Sequence, residues 1–175
     1  MKLKIHEPHG SNVFCGPSIL SMLTGKSSDH EGPLDRELKS IANQRKNIRS
    51  FGVADMLTAL NHNGFSPKLT YNVGRCGVPP IKLSDTGNRV FHPRKTLNQW
   101  LSSDGKNRHG RTFVVAAFCH WFLVQGNRYF DRPYGFDIDV QKAHNVKRRG
   151  RMICAIEIGV EPTPTWSELL DLLPS

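Results

Sequence analysis

Apolar residues fall at helical spacing in the first third of the chain and in runs of strand length in the last third. Leu34, Leu38 and Ile41 recur within Pro33 to Ala42, and Val53, Met56, Leu57 and Leu60 recur within Ser50 to His62. Each set makes one stripe of an amphipathic helix, the second closed by Asn63-Gly64. Ahead of them, Asn12 to Gly25 reads as an irregular segment turning into a first helix with Cys15 at its N-terminus, Pro17 in its first turn and Gly25 at its end. Phe65 to Asn72 suits an extended segment, and 74–80 is a loop rich in glycine and proline. Pro93 to Leu101 reads as a short helix that turns Leu97, Trp100 and Leu101 inward. Helices first and strands later predict an α+β fold.

The strand signal is strongest over Arg111 to Asp131, where two apolar runs flank Gly126-Asn127. A two-residue loop with glycine first predicts a type II′ hairpin, which fixes the register. Gln125 then pairs with Arg128, Val124 with Tyr129, Leu123 with Phe130 and Phe122 with Asp131. Side chains alternate along a strand, so His120 shares a face with Phe122 and becomes a diagonal neighbour of Asp131, roughly 7–8 Å apart or less at Cβ. A slip of one residue would move Asp131 to the other face. Arg132 to Gly135 turns the chain, and Arg151 to Ile158 reads as a further strand.

Candidate chemistry begins at Cys15. A cysteine at a helix N-terminus meets unpaired N–H groups and the positive end of the helix dipole, a setting that favours the nucleophilic thiolate. A lone cysteine is more often a small buried hydrophobe, so a base decides between the readings. His120 is the candidate base and Asp131 the candidate carboxylate that orients it, in the chain order Cys, His, Asp. Without that chemistry His120 would be a half-buried histidine bonded for stability.

The run NVFCGPSILSMLTGK resembles the nucleophile segment of papain-like cysteine peptidases, and FVVAAFCHWFLVQGNRYFD resembles their histidine strand followed by the acid-bearing strand. More narrowly, the chain is similar to small papain-like proteins encoded by bacteriophages. The likeness is concentrated in residues 12–25 and 112–131. It implies a papain-like core in which N-terminal helices, led by the cysteine helix, pack against an antiparallel sheet carrying His120 and Asp131, with the cleft between them and Gly16, Cys119 and Trp121 lining it. It also implies thiol-dependent acyl transfer without a cofactor or metal, by a cysteine peptidase, isopeptidase or transglutaminase-like transferase. The family usually places a glutamine a few residues before the nucleophile to complete the oxyanion hole. No glutamine precedes Cys15, and Asn12 and His9 are the polar side chains that stand in that stretch. A degenerate papain-like binding module is therefore the alternative function.

Composition narrows the partners. With 24 Lys and Arg against 15 Asp and Glu, the formal charge of +9 favours acidic partners, here a protein or peptide substrate. The basic residues are scattered and match no nucleic-acid motif, so charge alone argues for nucleic-acid binding. The four cysteines are widely separated, with no metal-ligand spacing, which fits reduced thiols in a cytoplasm, the host's if the chain is phage-encoded. No signal-peptide core and no apolar run of membrane-spanning length is read. The 175 residues suit a single papain-like domain over 1–161. The remainder, 162–175, is a Pro-rich spacer and a short amphipathic helix with Thr165 and Glu168 as a capping box.

Overall fold

A computed structural model describes residues 3–11, 14–42, 51–72, 95–103, 108–117, 120–132, 135–140 and 152–160. Its elements in chain order are α1 (Cys15–Thr24), α2 (Pro33–Ile41), α3 (Val53–His62), β1 (Phe65–Asn72), α4 (Leu97–Ser102), β2 (Thr112–Ala117), β3 (His120–Gln125), β4 (Arg128–Asp131), β5 (Gly135–Asp139) and β6 (Met152–Val160). The fold is α+β. The strands form one six-stranded sheet in the order β1-β6-β2-β3-β4-β5, with every neighbour antiparallel. No described helix is long and apolar enough to cross a membrane. The C-terminal spacer and helix read at 162–175 lie outside the described residues, as does the glycine- and proline-rich loop at 74–80.

Two apolar layers flank the sheet. On one face, Ile19, Leu20 and Leu23 of α1, Leu34 and Leu38 of α2, and Val53, Met56 and Leu60 of α3 pack on Val114, Trp121, Leu123, Phe130 and Ile156. On the other, Leu97 and Trp100 of α4 pack with Phe113, Val115, Phe122, Val124 and Tyr129. Trp100 meets Phe113 edge to face, with ring centroids 5.4 Å apart. Alternation along β2 and β3 explains this division, since consecutive residues feed opposite layers.

Several boundaries move for local reasons. α4 starts at Leu97 because Thr96 caps it: the Thr96 hydroxyl accepts from Gln99 N at 3.2 Å, and the Gln99 side chain accepts from Thr96 N at 2.8 Å. α3 starts at Val53 behind Gly52, whose N–H donates to the Asp55 carboxylate at 2.8 Å. β5 is an edge strand where the sequence suggested only a turn up to Gly135. After β5 the chain returns to insert β6 between β1 and β2, an order that alternation does not encode.

The β3–β4 hairpin carries the predicted register: Leu123 opposes Phe130, Val124 opposes Tyr129 and Gln125 opposes Arg128. Gly126 has φ +57° and Asn127 is not among the residues with positive φ, which is the signature of the type II′ turn. Arg108, almost fully buried, clamps this turn from behind. Its Nε donates to Gly126 O at 3.0 Å, Nη2 to Asn127 Oδ1 at 3.3 Å, and Nη1 to Leu101 O near the C-terminus of α4. These carbonyls, including one at the negative end of a helix, supply the partial charge that solvates the guanidinium.

Candidate active site

Cys15 is the first residue of α1, and no side chain caps that helix. Gly16 to Leu23 are all buried, so the helix is seated along its length while Cys15 remains partly exposed at its mouth. At the other end Gly25, with φ +71°, stops the helix by returning its N–H to Ser21 O at 2.8 Å.

His120 opens β3 and Asp131 closes β4, so the hairpin makes them diagonal neighbours. His120 Nε2 donates to Asp131 Oδ2 at 2.7 Å. The Cys15 side chain bears on the same imidazole, since it is one of the groups that raise the His120 pKa. The Asp131 side chain is 2% exposed and that of His120 27% exposed, so the carboxylate is closed off while the imidazole keeps partial access to solvent. Burial of the imidazole lowers its pKa, but the hydrogen bonds to Asp131 and Cys15 and their charges outweigh it, raising His120 to about 9. His120 is thus held as an imidazolium at neutral pH.

Helices α1–α3 lie on one face of the sheet, and Cys15 packs against the apolar layer of that face. His120 stacks on Phe122, with centroids 6.4 Å apart, and so belongs to the opposite face together with Tyr129 and Asp131. Cys15 bears on the imidazole at the His120 end of β3.

Other predicted site residues are placed differently. His9 lies at the far end of α1: its Nε2 donates to Gly25 O at 3.0 Å, while its carbonyl accepts from Ser28 Oγ at 2.8 Å. A ten-residue helix is about 15 Å long, so His9 stands too far from Cys15 to complete an oxyanion hole. Gly16 does not line an open cleft, because a Cβ built there would lie 3.0 Å from Phe51 Cγ. Trp121 is 5% exposed in the helix-side core and donates from Nε1 to Phe51 O at 2.8 Å. Alternation requires this, since Trp121 follows His120 and must face the other way. Gly16, Phe51 and Trp121 therefore form a packing clamp that seats the start of α1 against β3. Asn12 and Cys119 lie outside the described residues.

Tyr129 is a member of the site that the sequence reading passed over. Its hydroxyl donates to Asp131 Oδ2 at 2.7 Å, the oxygen that His120 also uses. The signal was present, because Tyr129 and Asp131 are two apart in one strand and share a face. Among the described residues, no group of three or more His, Cys, Asp or Glu side chains is arranged to hold a metal ion.

No family model matches the chain, and neither does a curated protein or a solved structure. The site's geometry and the sequence motifs therefore carry the functional argument. Of the two free cysteines among the described residues, Cys154 is wholly buried, whereas Cys15 is partly exposed and lies beside a histidine.

Proposed function

We propose that this chain is a thiol-dependent acyl-transfer enzyme with a papain-like core, acting as a cysteine peptidase or isopeptidase on a protein substrate. The observation that carries the reading is the His120–Asp131 hydrogen bond, with Cys15 acting on the same imidazole. The resemblance of the Cys15 and His120 segments to papain-like peptidases supports it.

In the reaction, His120 holds the proton taken from Cys15, and the sulfur attacks the substrate carbonyl carbon. The tetrahedral oxyanion is met by the Cys15 backbone N–H at the start of α1. His120 then gives its proton to the leaving amine as the carbon–nitrogen bond breaks, leaving a thioester. Water loses a proton to His120, attacks the thioester, and the acid departs as the Cys15 sulfur recovers a proton. Asp131 keeps its hydrogen bond to the imidazole through both halves.

Incubating wild-type and Cys15→Ala protein with a lysate and comparing peptide termini by mass spectrometry tests this. New termini with the wild type alone support a peptidase, and new lysine–glutamine links with the wild type alone indicate a transferase. A second reading, a binding module on the same scaffold, is favoured by the commitment of His9 to Gly25. Under that reading Cys15→Ala leaves the lysate-binding profile unchanged and neither protein produces new termini.

A further inference from the structure

Asp131 Oδ2 accepts two hydrogen bonds of equal length, 2.7 Å from His120 Nε2 and 2.7 Å from the Tyr129 hydroxyl. Tyr129 and Asp131 are each 1% exposed, which keeps bulk water from replacing either donor. The tyrosine ring is held in turn by Phe122, centroids 5.1 Å apart, and Phe122 stacks on His120. The oxygen that orients the histidine is therefore shared with a phenol fixed by the same aromatic floor.

We propose that Tyr129 is a positioning residue of this site, sharing the charge of Asp131 Oδ2 so that the carboxylate aims His120 at Cys15 without holding the imidazolium proton too tightly. The inference rests on the proposed reading of Cys15, His120 and Asp131 as the working site. A tyrosine O–H points its positive end at the carboxylate and cancels part of the charge that His120 feels. No proton changes owner in the resting state. The gain is in turnover, since His120 must release its proton to the leaving amine, and an imidazolium facing an unshared buried carboxylate releases it less readily.

Cys15 from α1 and Asp131 from β4 act on His120, Tyr129 bears on it through Asp131, and the apolar Phe122 stacks on it from its own strand. Arg132, the residue that follows β4, directs Nη2 to Gly10 O at 2.6 Å.

The test follows the His120 ring by NMR across pH in wild type, Tyr129→Phe, Asp131→Asn and the double variant. Tyr129→Phe keeps the ring that packs on Phe122, and an unfolding scan verifies that it is folded. The expected result is a His120 midpoint that rises by about 0.5–1 pH unit in Tyr129→Phe, the equivalent of one ordinary net hydrogen bond. In the Asp131→Asn background the same substitution leaves the midpoint unchanged. A midpoint that falls or stays put in Tyr129→Phe overturns the proposal, as does an equal rise with Asn at 131. Cys15 alkylation in the wild type reports separately on the enzyme reading, so the failure of one is told apart from the failure of the other.

Discussion

His120 Nε2 and Asp131 Oδ2 lie 2.7 Å apart across a tight hairpin, although eleven positions separate them in the chain. The contact depends on the turn at Gly126-Asn127, because a shift of one residue would send Asp131 into the helix-side core. The local chemistry of a turn thereby sets the protonation of a histidine.

That contact has a pH signature. The folded-state pKa of His120 is raised to about 9 from an ordinary 6.5, so its protonation stabilises the fold. The contribution is fully present below about pH 6.5 and is lost as pH rises through about 9. Asp131→Asn is expected to move the His120 midpoint down toward 6.5 and to flatten the stability difference between these limits. Ring NMR gives the midpoint and urea unfolding at several pH values gives the stability. A midpoint that stays near 9 in Asp131→Asn would assign the shift to another group.

Gly16 and Phe51 form a close contact that seats the nucleophile. Alanine at 16 places a methyl 3.0 Å from Phe51 Cγ, and the Phe51 backbone is anchored by Trp121 Nε1, so the ring has little freedom to withdraw. Overpacking of this kind costs about 1–3 kcal/mol. Gly16→Ala is therefore expected to lower the urea midpoint and to slow Cys15 alkylation. An unchanged midpoint would mean that Phe51 yields freely.

Arg108 supports the site at a distance by holding the Gly126-Asn127 turn and the end of α4. Arg108→Met abandons the acceptors at Gly126, Asn127 and Leu101, and is expected to destabilise the protein by about 2–3 kcal/mol. Arg108→Lys is not expected to rescue it, because a point charge cannot serve three separated acceptors. Urea unfolding of both variants is the check, and wild-type stability in either would contradict the clamp.

The sequence was most legible where local rules act alone. The apolar stripes place α2 and α3, Gly25 marks the end of α1, and the glycine-first turn sets the β3–β4 register. β5 was hidden because it is a short edge strand with polar Asp137 and Asp139, and Asp137 itself has positive φ. The position of β6 was hidden because alternation tells which face a residue takes and not which strand lies beside it. His9 misled through nearness in sequence: the chain around it runs along the later turns of α1, where His6 N donates to Met22 O at 2.8 Å. Trp121 and Tyr129 could both have been placed by alternation, one away from the site and one into it.

The central claim is that Cys15 is a nucleophile paired with His120, and its alkylation rate at pH 6 tests that most directly. Iodoacetamide labelling, followed residue by residue with mass spectrometry, is expected to modify Cys15 far faster than Cys76, Cys119 or Cys154. The advantage should fall at least tenfold in His120→Ala. A Cys15 that reacts no faster than the other three, or keeps its rate without His120, would contradict the account.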